Sequence, residues 1–264
     1  MKNILVPIGI SSNGESSLGY AIEFARIFDA NVFVMDSFQS SFSNTSLINV
    51  KEVLDQNNFK RVKKLVKKID HKGLSIKMVH YEGDFISAID SLDKEVGIDL
   101  IITGPSPNAS NELIFLGPST GRLVKRTDIP VWIVPEGMKF SSPKKALFAF
   151  KEGQINGDKS LAPLYALKSS FETETEVLLV KVPGKKRKDF QIDYEIVELA
   201  KQTKSTNNAT VYQGVLEYFR EVNPDVLVVF ARQRGFFEKL IESDIVYKRD
   251  FYTTIPLLVL KNRD

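Results

Sequence analysis

The chain has 264 residues, 43% of them hydrophobic, which is about two domains at the usual ~100–200 residues each, with apolar content enough for each to bury a core. Its 36 basic and 33 acidic residues leave a net charge of +3, and the basic runs Lys63-Lys64, Lys67-Lys68 and Lys185–Lys188 read as a solvated helix face and a turn rather than a nucleic-acid patch. The absence of cysteine excludes a disulfide framework, a thiol nucleophile and a thiolate metal site. No apolar run approaches the roughly 20 residues that span a bilayer, and Lys2-Asn3-Ile4-Leu5-Val6 enters a strand with no signal segment before it, so a soluble, cytoplasmic protein without membrane or nucleic-acid partners is expected.

Ile4–Ile8 is too short for a helix, carries Pro7 and is followed by Gly9; it reads as a buried strand. Glu15–Phe28 spaces Leu18, Ala21, Ile22, Ala25 and Ile27-Phe28 near helical intervals. Asn31–Phe38 is the second strand. Asn49–Ile69 alternates Val53, Leu54, Val62, Leu65, Val66 and Ile69 with lysines and reads as a long surface helix. Leu74–Tyr81 alternates as a third strand. Asp84 is placed to cap a helix over Phe85–Val96. Strand Asp99–Thr103, helix Thr120–Arg126 and strand Val131–Val134 complete the run.

The same order then returns. Its pieces are strand Ala146–Phe150, helix Leu161–Ser170, strand Glu176–Val182, helix Tyr194–Lys201, strand Ala209–Gly214, helix Leu216–Val222, strand Val226–Ala231, helix Phe236–Val246 and strand Leu257–Leu260. The repeat is plainest over 99–134 and 225–260. Asp99 to Ile129 is 30 residues, as is Asp225 to Ile255, and the two copies lie 126 residues apart. A repeat of that length is a domain. Pro135–Pro143 separates residues 1–138 from 143–264. Alternating strands and helices imply right-handed crossovers and parallel sheets covered on both faces. The expected fold class is α/β, two tandem five-stranded, parallel, doubly wound domains, with ligands outside the carboxyl ends of the strands at the topological switch point. The apolar last strands, Val131–Val134 and Leu257–Leu260, should pair antiparallel and protect each other's edges in an intramolecular pseudo-dimer.

On three stretches the chain resembles the universal stress protein family in its tandem two-domain form. Lys2–Ile8 (KNILVPI) is similar to the family's opening strand, and Asp128–Val134 to its last. Gly104-Pro105-Ser106-Pro107, the nine residues Asn108–Leu116, and Gly117 are similar to its nucleotide loop, whose pattern is Gly, two residues, Gly, nine residues, Gly, then Ser or Thr. The resemblance implies a Rossmann-like, adenine nucleotide alpha hydrolase-like fold that pairs through its last strand. It also implies a loop whose glycines let backbone approach phosphates while amides at the next helix start bind the anion. Three positions depart from the pattern. Pro107 replaces the middle glycine. Pro118 follows Gly117 without an N–H to give, although it suits a first helical position. Gly9 stands where ATP-binding members carry Asp near the adenine or ribose. Asp36, ending the second strand, could accept from a ribose or cap a loop. The candidate nucleotide contacts are Pro7, Gly9, Asp36, Gly104, Gly117, Ser119 and Thr120.

The second copy departs further. Its loop, Ala231-Arg232-Gln233-Arg234-Gly235, lacks spaced glycines, and Phe236, Phe237, Leu240 and Ile241 form an apolar stripe. Arg232 and Arg234 belong to an exposed loop or hold an anion; ATP is not expected there. His71 and His80 are not at metal spacing; His71 reads as solvated, and His80 could line the cleft. Ser40–Ser46 lacks a paired base. No Ser/His/Asp set, carboxylate pair or GK[ST] sequence indicates an enzyme. Two functions remain. One is a non-enzymatic stress-response or signalling module that holds ATP or another adenine nucleotide weakly in the first domain only. The other is an interaction protein acting through domain pairing and protein partners.

Overall fold

A computed structural model describes residues 1–8, 13–36, 59–81, 84–105, 114–155, 157, 159–184, 190–231, 246–248 and 252–261. The first half runs β1 Asn3–Ile8, α1 Asn13–Phe28, β2 Asn31–Asp36, α2 over 59–68, β3 Ile76–Val79, α3 Phe85–Val96, β4 Leu100–Thr103, β5 Ile114–Leu116, α4 Pro118–Arg126 and β6 Val131–Ile133. The second runs β7 Lys145–Phe150, α5 Ala162–Phe171, β8 Glu174–Lys181, α6 Tyr194–Leu199, β9 Ala200–Asn207, α7 Val211–Val222, β10 Val226–Phe230, β11 Val246–Tyr247 and β12 Leu257–Leu260.

Ten strands form one sheet in the order β3-β2-β1-β4-β6-β12-β10-β7-β8-β9. Each half contributes five parallel strands in the doubly wound order, and the sheet changes direction only at its centre. There β6 and β12 run antiparallel, with Leu257 opposite Ile133, Leu258 opposite Trp132 and Val259 opposite Val131. All six side chains are buried. Pairing the two apolar edges with each other leaves neither open to a foreign strand.

The duplication extends to single hydrogen bonds. Asp99 Oδ2 accepts from the amides of Lys2 at 2.5 Å and Asn3 at 3.0 Å. Asp225 Oδ2 accepts from Lys144 at 2.8 Å and Lys145 at 2.9 Å. In each half, an Asp before the fourth strand thus caps the start of the first. The proline ahead of each last strand is also used alike: the amides of Ile101 and Leu227 donate to the carbonyls of Pro130 and Pro256, both at 2.9 Å.

Helices cover both faces of the sheet. On one face Phe24 of α1 packs on Trp132 at 5.2 Å and on Phe171 of α5 at 5.6 Å, and Phe28 meets Phe171 at 5.5 Å. Phe140, from the connection between halves, sets its ring against Tyr20 at 5.4 Å and Phe24 at 6.0 Å. Aromatic pairs of this kind contribute about 0.5–1.5 kcal/mol each beyond area burial. α3, α4 and α7 supply the opposite core, which contains Val131, Ile133, Leu257 and Val259. α2 turns Val62 and Val66 inward and leaves Lys63, Lys64, Lys67 and Lys68 exposed, the solvated face expected of that lysine run.

Four expected elements are corrected. No strand occupies Ala209–Gly214. The third strand of the second half is β9, and the helix expected over Tyr194–Lys201 stops at Leu199 to make room for it. The sequence of β9, AKQTKSTN, is polar because the strand lies at the sheet edge with most side chains in water. Val211 and Tyr212 belong instead to α7, which starts five residues before the expected Leu216; Thr210 Oγ1 caps it by accepting from the Gln213 amide at 3.1 Å. Val246, expected at the end of a helix, begins β11, which pairs antiparallel with β5 as a separate two-stranded ribbon. The rest of that expected helix, 236–245, lies outside the described residues, as do residues 49–58 of the expected helix Asn49–Ile69.

Candidate functional site

The carboxyl ends of β2, β1 and β4 converge where the strand order reverses, the place at which doubly wound sheets open a crevice. β1 brings Pro7 and Ile8 there, both buried, with Ile8 in register with Asp36 at the end of β2. The Asp36 carboxylate is only 7% exposed, and its Oδ2 lies 3.7 Å from His80 Nδ1, just past β3. Phe59 of α2 sets its ring against the His80 imidazole at 5.0 Å. Asp36 and His80 thus form a pair at the outer end of the crevice.

β4 ends at Thr103, and Gly104 follows it into the mouth. Two hydroxyls converge on the Gly104 carbonyl: Thr120 Oγ1 donates to it at 2.9 Å and Thr103 Oγ1 at 3.4 Å. The chain returns through β5 to Gly117, whose amide donates to the Pro105 carbonyl at 3.0 Å. Gly117 is the N-cap of α4 in extended conformation, and Pro118 is the first helical residue, with its fixed φ already suited to the helix. The amides of Ser119 and Thr120 fall in the first turn, where the helix itself supplies no acceptor. Gly104 and Gly117 are therefore brought together at the open end of α4. Neither has positive φ, and a Cβ built on Gly104 would meet Ser17 Oγ at 3.4 Å, an ordinary contact. Folding does not demand glycine at position 104, and its bare backbone leaves room for close approach from outside.

The second turn of α4 carries Arg122, 16% exposed, with its guanidinium 2.6 Å from Asp84 Oδ1. Asp84 caps α3 as expected, its Oδ2 accepting from the amides of Ile86 at 3.0 Å and Ser87 at 3.1 Å. The Ser87 amide chiefly, aided by Arg122, holds this carboxyl below the usual carboxylate range against the opposing effect of burial. Arg122 Nε is buried without a hydrogen-bond partner among the described residues. Nothing in the spacing of the loop singled out Arg122, and only the fold places it beside the cradle.

Of the seven candidates, Pro7, Asp36, Gly104, Gly117, Ser119 and Thr120 lie around this mouth. Thr120 is buried, its hydroxyl committed to Gly104. Gly9 lies outside the described residues, as do Pro107, the serines 40–46, the basic run 185–188 and residues 232–241. Among the described residues no cluster of His, Asp and Glu could hold a metal ion, and no helix is long and apolar enough to cross a membrane.

The equivalent places in the second half are filled differently. Strand register puts Leu179 of β8 where β2 has Asp36, since Leu179 faces Phe150 as Asp36 faces Ile8. The 126-residue repeat puts Phe230 where Gly104 stands. Phe148 packs on Phe150 at 4.9 Å and on Phe230 at 5.2 Å, and all three rings are buried in the core. The turn after β7 is pinned as well. Gly153 bridges to Ile192, and a Cβ there would lie 2.8 Å from the Gln191 carbonyl oxygen, so no other residue fits without a shift. Asp193 completes the closure: its Oδ2 accepts from the Ile155 amide at 2.6 Å, and its own amide donates to the Gly153 carbonyl at 2.9 Å.

These features define a tandem, doubly wound α/β protein with a glycine-flanked helix start at its first switch point and buried aromatic rings at the corresponding strands of its second half. The family model of the universal stress protein family matches residues 1–135. A universal stress protein of Methanocaldococcus jannaschii is 26% identical over 143 residues, which are 52% of this chain and 84% of that protein. Among solved structures, a universal stress protein from Archaeoglobus fulgidus superposes with a TM-score of 0.72 over 98% of each chain at 15% identity. A protein of unknown function from Pseudomonas aeruginosa superposes at 0.59 over 99% of this chain and 93% of its own, at 16% identity. The chain belongs to the universal stress protein family.

Proposed function

We propose that this universal stress protein is a non-enzymatic stress-response module, built of one domain over residues 1–138 and another over 143–264, that holds an adenine nucleotide such as ATP weakly in the first. The observation that carries this reading is the closure of Gly104 and Gly117 on the N-terminus of α4, with bare backbone at the mouth and the Asp36 carboxylate at the far end of the same crevice. Phosphate oxygens suit the first-turn amides and the positive end of the helix, and a ribose hydroxyl suits a buried carboxylate acceptor. Pro118 supplies no amide and the Thr120 hydroxyl is spent on Gly104, so two donors fewer face the phosphates, and weak binding follows. In the second half Phe230 and Leu179 occupy the corresponding places, which supports a single site per chain.

Calorimetric titration with ATP and magnesium tests this, with Gly117→Val as control. Binding at one site per chain, lost in the variant, is the expected result. Absence of heat and of any thermal shift at millimolar ATP would refute it and favour the second reading, an interaction protein with two vestigial clefts. Pro118 and the committed Thr120 hydroxyl are the observations on that side.

A further inference from the structure

We propose that the second half serves as a brace for the anion cradle of the first, with Tyr252 as its positioning residue. The consequence for ligand binding rests on the nucleotide reading above; the brace itself rests on packing. β5 is the three-residue segment that delivers the chain to Gly117, and β11 is its partner in the ribbon, with Leu116 opposite Val246 and Ile114 opposite Tyr247. Within its own half the return of the loop is held by the Gly117 amide on Pro105. A three-residue strand with a single neighbour among the described residues is weak unless something else fixes it.

Tyr252 supplies that fixing. Its ring meets the buried Phe115 of β5 edge-on, at 5.7 Å and 87°. Its backbone is clamped by one hydroxyl of α7: the Tyr252 amide donates to Tyr212 Oη at 3.2 Å, and Tyr212 Oη donates to the Tyr252 carbonyl at 3.1 Å. Lys248 lays its ammonium over the Tyr252 ring at 5.3 Å. A continuous path therefore runs from α7 through Tyr212, Tyr252 and Phe115 to the cap of α4.

The described residues of the repeat show how the second half uses the corresponding stretch. Adding 126 to the bounds of α4 gives residues 244–252. The described residues in that window form β11, a turn at Lys248, and the non-helical Tyr252. Chain that builds an anion-facing helix in the first half supports that helix's loop in the second.

Hydrogen exchange of the full chain tests the brace without any ligand. In Tyr252→Ala, amides of 114–121 should exchange roughly five- to tenfold faster, the scale of one aromatic pair. Tyr252→Phe keeps the ring and both backbone contacts and should match the wild type. Magnesium ATP affinity should fall by a similar factor in Tyr252→Ala and stay unchanged in Tyr252→Phe. Protection of β1 and β10 serves as the control for global stability, and Phe115→Ala replaces Tyr252→Ala if that control moves. Unchanged exchange at 114–121, with both strands protected, would overturn the brace. If the wild type binds no ATP, the nucleotide reading fails, while the exchange rates still decide the brace.

Discussion

Lys261 offers the sharpest test of how the halves meet. It follows β12, is 5% exposed, and donates from Nζ to the Val124 carbonyl in the last turn of α4. That end of a helix attracts cations, and Asp128 pulls the same way, but burial wins and pushes the ammonium from its usual 10.5 down to about 8. The consequence for stability has a definite sign. Between pH 8 and 10.5 the unfolded chain keeps this proton and the folded chain has lost it, so stability rises with pH across that window and the penalty is fully present below it. A fall of about 2.5 pH units corresponds to roughly 3 kcal/mol at 1.36 kcal/mol per unit. Lys261→Met keeps the stem and removes the charge. Urea unfolding should show its stability relative to wild type declining by about 3 kcal/mol from pH 7 to 10.5. A difference that stays flat within 1 kcal/mol would show that the lysine reaches water, and would refute its burial against α4.

The central seam can be read by a double-mutant cycle. Val131→Ala and Val259→Ala, directly opposed on one face, should each cost about 1.5–3 kcal/mol in urea unfolding and couple by roughly 0.5–1, whereas Val131→Ala with Leu258→Ala, on opposite faces, should add within about 0.3. Equal coupling in both pairs would mean another register. Tyr20 is held protonated by burial, well above its usual 10, so above that pH the folded chain retains a proton the unfolded chain loses and stability falls; Tyr20→Phe should remove that part of the fall in unfolding curves at pH 9.5 and 11. Asp99→Ala and Asp225→Ala should each cost about 1–3 kcal/mol, and the double variant should lose their sum within about 0.5 kcal/mol in the same assay. A loss confined to one of them would mean that the two caps are not equivalent.

Buried parallel strands were legible because they must be apolar on both faces: β1, β4, β7, β10 and β12 all appear as short runs of Ile, Leu, Val, Ala and Phe. The repeated Asp was legible as spacing, though not as a cap, because its partners lie 96 and 97 residues away in one copy and 80 and 81 in the other. The edge strand β9 was missed for the same physical reason that the core strands were found. An edge exposed to water needs no apolar run, so Thr, Ser and Lys fill it, and the nearest apolar residues, Val211 and Tyr212, drew the expectation to the next helix. The mouth was legible in its glycines, which need no partner to be recognised. Arg122, the Asp36–His80 pair and the β5·β11 ribbon were not, since each depends on a contact between distant segments that no local pattern encodes.

The contrast between the two crevices follows from joining the copies in one chain. In a twofold pair of identical chains any substitution occurs twice, so a ring that plugs one crevice plugs both. A fused chain escapes that constraint. Phe230 can stand in the second half where the first has Gly104, and Leu179 can stand where the first has Asp36. The shared structure shows no such divergence: both halves keep the Asp cap, the Ile-Pro entry to the last strand and the strand order. Those features hold the ten-stranded sheet together, and loss of either copy would expose a seam of buried Val, Leu, Ile and Trp side chains. The residues that differ lie at the strand ends, where doubly wound sheets open a crevice, so the two ends can diverge without disturbing the shared sheet.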